Sequence, residues 1–154
     1  MSRYASATTV STEASRSEIE KTLRRYKADA FMYAAEADRA VIQFRIGLRQ
    51  VRFLLQMPDP RSREFTQHSR GVRTPDAAEK LWEQACRQRW RALALVIKAK
   101  LEAVSAGITT IEDEFLAHTV LPDGQTVGQF IQPQLQIAYE TGRMPSTFLL
   151  EGPK

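Results

Sequence analysis

The sequence predicts an α+β fold: an N-terminal helix, a three-stranded antiparallel meander, a long central helix and two shorter C-terminal helices. Three observations predict it. Apolar residues recur at helical spacing at Ile19, Leu23 and Tyr26; the period becomes alternating between residues 30 and 57; and it is helical again, without a break, from Thr74 to Gly107.

The first helix is expected over residues 16–27, because Ser15 followed by Glu18 has the spacing of a capping box. Lys21, Arg24 and Arg25 then face water. Residues 30–33 read as a short strand, 35–38 as a turn and 39–46 as a second strand. Gly47 and Leu48 make a two-residue hairpin loop, with glycine supplying the positive φ of a type II′ turn, and a third strand follows over 49–57. That turn sets the register. Ile46 faces Arg49, Phe44 faces Val51 and Ile42 faces Phe53 on an apolar side; Arg45 faces Gln50, Gln43 faces Arg52 and Arg39 faces Gln56 on a polar one, broken only by Val41 and Leu54.

Residues 58–74 contain Pro58, Pro60 and Gly71 and show no period, which predicts a long loop and, from its arginines, an induced-fit binding arm. Thr74 caps the central helix with Pro75 at its first position. A helix running from there to Gly107 has about 32 residues and spans about 48 Å. Trp82, Cys86, Trp90, Leu93, Ile97, Leu101 and Val104 form its broad apolar stripe; Leu81, Ala85, Ala92, Leu95 and Ala99 form a narrower one that asks for a second packing partner. Thr109 or Thr110 caps a helix to about His118 with Phe115 and Leu116 inward, Leu121 to Gly124 is a turn, and Thr126 opens a last helix expected to break near Pro133 and end at Gly142. The organisation expected is a flexible tail at 1–14, one domain at 15–145 and a C-terminal tail at 146–154.

Composition narrows the function classes. The 154 residues are 43% hydrophobic and 26% charged, as in globular domains. The longest apolar run, Ala92 to Ile97, is far short of the roughly 20 residues of a membrane span, and the Ser/Thr-rich start lacks the apolar core of a secretory signal. A lone cysteine, Cys86, allows no intrachain disulfide, which fits a reducing compartment, and with only His68 and His118 it cannot complete a Cys/His zinc site. A cytoplasmic protein with no metal and no cofactor is expected.

Charge is unevenly placed. Residues 1–38 carry six basic and six acidic side chains, residues 39–100 fourteen and five, and residues 101–154 two and seven, giving 0, +9 and −5. Sixteen of the 22 basic residues are arginine, whose planar fork suits phosphate oxygens. The bland reading is that the two charged regions neutralise each other inside the fold. The sharper one is a basic surface for an acidic partner. Lys80, Arg87, Arg91 and Lys98 lie within about 40° of one another around the central helix. With Arg45 and Arg52 on the polar strand face, and Arg61, Arg63, Arg70 and Arg73 in the loop, they are the candidate contacts to nucleic acid or to a partner. Phe65 and Tyr33 are the aromatics placed to stack on bases. No nucleophile elbow, phosphate loop or dinucleotide fingerprint is present, and the consecutive Glu112, Asp113 and Glu114 point in different directions on a helix, so no enzyme is expected.

The segment from Trp82 through Glu83, Gln84, Ala85, Cys86, Arg87, Gln88, Arg89, Trp90, Arg91 and on to Lys98, Lys100, Leu101 and Val104, followed by Glu114-Phe115-Leu116-Ala117 and Leu121-Pro122-Asp123-Gly124, resembles a family of small proteins of tailed bacteriophages and prophages. The resemblance covers most of the chain from Ser15 to Pro145. It carries no agreed activity and no catalytic residues; it implies a protein acting in a bacterial cytoplasm, on nucleic acid during replication or recombination, or on a host factor. The leading expectation is therefore a non-enzymatic accessory protein that binds nucleic-acid backbone. Its rival is an interaction protein that inhibits or redirects a host complex such as a defence system, through an acidic host protein, and a third reading joins the basic middle of one subunit to the acidic end of another in a homo-oligomer.

Overall fold

Helix α1 (Thr12–Arg25) starts four residues before its expected position, because Ser11 and not Ser15 is the cap: the Ser11 hydroxyl accepts from the Ala14 amide, 3.1 Å away. Ser15 is instead fully buried inside the helix. The computed structural model describes residues 8–145. Positions 8–11 are tied to the body through the Thr8 carbonyl, which accepts from Gln84 Nε2 at 2.8 Å, so this part of the expected tail is packed. Residues 1–7 of that tail and the C-terminal tail at 146–154 lie outside the described residues.

The meander forms as expected, with β1 (Asp29–Ala35), β2 (Arg39–Ile46) and β3 (Arg49–Gln56) antiparallel in the order β1-β2-β3. Every pair in the register predicted for β2 and β3 occurs. Gly47 sits at φ 61 while Leu48 does not enter the left-handed region, as a type II′ turn requires. Strand β1 is longer than expected and irregular between Asp29 and Met32, where Ala30 adopts φ 55.

Residues 58–74 are not the open loop that the absence of a period predicts. A one-turn helix, α2 (Arg63–Thr66), leads into a minimal hairpin of β4 (Gln67–His68) and β5 (Gly71–Val72). Phe65 is buried beneath it and Trp82 Nε1 donates to the Pro58 carbonyl at 2.7 Å. Elements of two to four residues are too short to show a period, so the pattern could not reveal them.

Helix α3 (Pro75–Ser105) is the spine, capped by Thr74, whose hydroxyl accepts from the Ala77 amide. It buries Trp90, Leu93, Ala94, Ile97 and Leu101 against Ile19 and Leu23 of α1 and against Ala40, Ile42, Phe44, Ile46, Val51 and Phe53 of the inner sheet face. The narrower stripe has less cover: Ala85, Ala92 and Leu95 are half-buried, while Leu81 and Ala99 stay exposed. The C-terminal region begins with α4 (Ile111–Glu114), capped by Thr110, and passes into a 3-10 turn at Leu116–His118. Phe115 plugs the core, edge-on to Phe44 at 6.0 Å and to Phe53 at 6.1 Å. Leu116, expected inward, is 49% exposed, because the tightening to 3-10 geometry rotates it out.

Thr119 and Val120 then run along the free edge of β3, with the Val120 amide donating to the Gln50 carbonyl at 2.8 Å. Helix α5 (Val127–Thr141) follows, opened by a full capping box between Thr126 and Gln129 and closed by Gly142 at φ 66. It continues through Pro133 without the expected break. Pro133 and Gln129 are both exposed. Water can therefore satisfy the carbonyl that the ring deprives of its donor. The architecture is α+β, with α1 and α3 side by side on one sheet face and α5 reaching outward. No helix among the described residues is long and apolar enough to cross a membrane.

Candidate nucleic-acid interface

Alternation along the strands puts Arg45 and Arg52 on the outer sheet face, whereas α3 packs on the inner face. The sheet and core therefore separate these two arginines from the Lys80, Arg87, Arg91 and Lys98 line, and no single groove holds both sets.

Most of the predicted contacts are committed within the chain. Arg45 grips Asp29 with two bonds, Nε to Oδ1 at 2.8 Å and Nη2 to Oδ2 at 3.1 Å, and this partner holds the Asp29 carboxyl below its ordinary range. Arg52 Nη2 donates to the Gly124 carbonyl at 2.6 Å and reaches Gln129 Oε1 at 3.4 Å, so it clamps the start of α5 to the sheet. Arg61 pairs with Asp59 at 3.3 Å and Arg63 donates to Gln67 Oε1 at 3.3 Å. Arg73 holds two carbonyls, those of Glu64 at 2.7 Å and Phe65 at 3.1 Å, and so closes the small hairpin. An arm built this way does not await a ligand to become ordered. On α3, Arg87 donates to Gln84 and Arg91 to the Glu18 carboxylate of α1. Arg39, Arg89 and Lys100 are likewise held, by Glu36, the Gln56 carbonyl and Glu114.

Lys100 with Glu114 is the one ion pair among the described residues that joins the basic middle to the acidic C-terminal third. Among the described residues, no other ion pair links the two regions. Carbonyls, amides and nearby carboxylates occupy the guanidinium forks instead. The side chains of Arg49, Arg70, Lys80 and Lys98 make no polar contact with any described residue.

Lys98 is the one that belongs to a cluster. Helices α1 and α3 run parallel, with Glu18 beside Arg91 and the last turns of α1 beside Lys98. Between them lies an open furrow of about 290 Å³ lined by Ser17, Glu18, Lys21, Thr22, Arg25 and Lys98. Its one acid, Glu18, is already bound to Arg91, so Lys21, Arg25 and Lys98 give the furrow three exposed charges without an internal counter-ion. Spacing in the sequence places Lys21 and Arg25 on one side of α1, four residues apart. Only the parallel packing on α3 brings Lys98 to them.

The two expected stacking residues are not available. Phe65 is buried, and Tyr33 is half-buried with its hydroxyl 3.4 Å from the Arg16 carbonyl and its pKa pushed up to about 12, chiefly by burial and then by Glu20. Cys86 lies half-buried near α1, with burial pushing its thiol pKa up. Among the described residues, no three His, Cys, Asp or Glu side chains gather as metal ligands do.

A second concavity, about 520 Å³ and open, lies on the outer sheet face. Met32, Ala34, Val41 and Leu54 floor it, and Arg39, Arg52, His118 and Gln129 stand at its sides. Ring stacking on Phe53, 4.1 Å between centroids, fixes His118 there. Burial and then the charge of Lys100 lower its pKa below the ordinary value, against a hydrogen bond to the Arg52 backbone that raises it. Comparison of the chain with protein-family models, curated proteins and solved structures finds no match among any of them.

Proposed function

We propose that the protein is a non-enzymatic accessory factor that binds the phosphate backbone of nucleic acid in the furrow between α1 and α3. The observation that carries this reading is the furrow's charge: Lys21, Arg25 and Lys98 converge where the one acid, Glu18, is occupied by Arg91. Three exposed cations at a concave surface suit phosphodiester oxygens, whose neutralisation releases condensed counter-ions. Without an exposed aromatic in the furrow, bases are not stacked, so contacts fix position on the backbone and do not read sequence. Binding to fluorescent single- and double-stranded DNA and RNA at low salt, followed by anisotropy, tests the proposal. No binding to any of the four ends it.

A second reading, an interaction protein that inhibits or redirects a host complex, is favoured by the outer sheet face. Met32 and Leu54 are about half exposed on its floor, and an apolar floor with polar sides is the make-up of a protein-docking surface. A single partner retained from nuclease-treated bacterial lysate, and lost in Leu54→Glu, supports it. Both readings suit a phage or prophage protein acting in the bacterial cytoplasm, the setting implied by the resemblance of residues 82–104.

A further inference from the structure

The concavity on the outer sheet face, about 520 Å³, has the size of a small-ligand site. Its floor dips in the middle. Ala34 pairs with Val41 and Val41 with Leu54, so the short side chains of Ala34 and Val41 lie between the longer Met32 and Leu54. Three adjacent strands make this floor about 10 Å wide, and the two-residue step from Met32 to Ala34 makes it about 7 Å long. Those dimensions suit a flat body of two fused rings better than an extended chain.

The polar side chains around the floor are held in place, yet they keep donors unused. Arg52 donates to the Gly124 carbonyl and to Gln129 Oε1 through Nη2 alone, which leaves its Nε and Nη1 without a partner among the described residues. Gln129 Oε1 also accepts from the Thr126 amide, so this side chain is anchored while its Nε2 donates to no described residue. A planar guanidinium fixed by one N–H is already oriented for an acceptor at the others. Arg39, at the other end of the floor, reaches Glu36 through Nε at 2.7 Å.

Charge favours an anion at the Arg52 end. Glu36 is the one acid among the lining residues, and Arg39 engages it. Arg39 and Arg52 leave the rim with a net positive charge, because His118, its pKa lowered below 6.5 by burial and by Lys100, is neutral at pH 7. Helix α5 starts at the same wall, with its cap Thr126 and its first-turn Gln129 lining the groove, so the positive end of the helix dipole adds to that field. The unused groups are all donors, and the floor is apolar.

We propose that this groove is a binding site for a planar aromatic carboxylate, with two fused rings on the floor of Ala34, Val41 and Leu54 and the carboxylate at the unused N–H groups of Arg52 and Gln129. It does not depend on nucleic-acid binding in the furrow. It places a small ligand on the face where the second reading puts a protein partner.

Calorimetric titration of the full chain with 2-naphthoate tests this and is expected to show saturable one-to-one binding. Neutral 2-naphthamide is expected to bind at least about tenfold more weakly, the factor for losing one charge-assisted hydrogen bond. Ala34→Leu, at an exposed position, fills the dip and is expected to abolish binding with an unchanged circular dichroism spectrum. Arg52→Gln is expected to remove most of the difference between the two probes, a readout that loosening of α5 alone does not move, because both probes sense it alike. No saturable binding of 2-naphthoate, equal affinity for 2-naphthamide, or undiminished binding in Ala34→Leu overturns the proposal. A protein partner retained by the wild type and lost in Leu54→Glu, without binding of 2-naphthoate, also overturns it and favours the docking reading.

Discussion

Replacing Lys21, Arg25 and Lys98 together by glutamine removes the furrow's charge without opening the core, since all three side chains are exposed. Surface substitutions of this kind change stability by no more than about 0.5 kcal/mol each. The effect on binding follows from counter-ion release. Each neutralised phosphate contributes about 0.9 to the negative slope of log K against log salt on duplex DNA, so three contacts contribute about 2.7. Between about 50 and 200 mM salt, the wild-type complex therefore loses about fortyfold in affinity through these contacts, and the triple variant loses that part of its salt dependence. The assay is fluorescence anisotropy with one duplex across a salt series, repeated with a scrambled duplex that is expected to bind equally well. Arg45→Gln is the control, because Arg45 is committed to Asp29 on the far side of the sheet. A triple variant with the wild-type slope, or an Arg45→Gln variant that loses as much slope as the triple variant, refutes the assignment of the furrow.

Two further predictions concern the platform. Phe115→Ala leaves a cavity between Phe44 and Phe53 and is expected to cost about 3–5 kcal/mol in chemical denaturation, with Leu116→Ala on the exposed side near neutral. His118 has a folded pKa below its ordinary value of 6.5, so the unfolded chain binds the proton more readily. Its contribution to stability is complete above pH 6.5 and declines as pH falls from there towards the folded pKa. His118→Phe is expected to flatten the slope of stability against pH in that window, and an unchanged slope contradicts it.

The meander was legible in the sequence because β2 and β3 are each eight residues long, alternate cleanly and meet at Gly47, so one turn fixed every pair. The spine was legible for a similar reason, with Thr74 and Pro75 marking its start and a helical period running through it. Short-range chemistry was less visible. Either Ser11 or Ser15 can cap α1, and burial of Ser15 decides between them. The candidate site was hardest to read. A basic residue in a sequence has a charge but no visible partner, and Arg73 and Arg52 spend theirs on carbonyls nine and 72 residues away in the chain. Lys21 and Arg25 were legible as solvent-facing, but their meeting with Lys98 depends on two helices lying parallel, which no local pattern encodes.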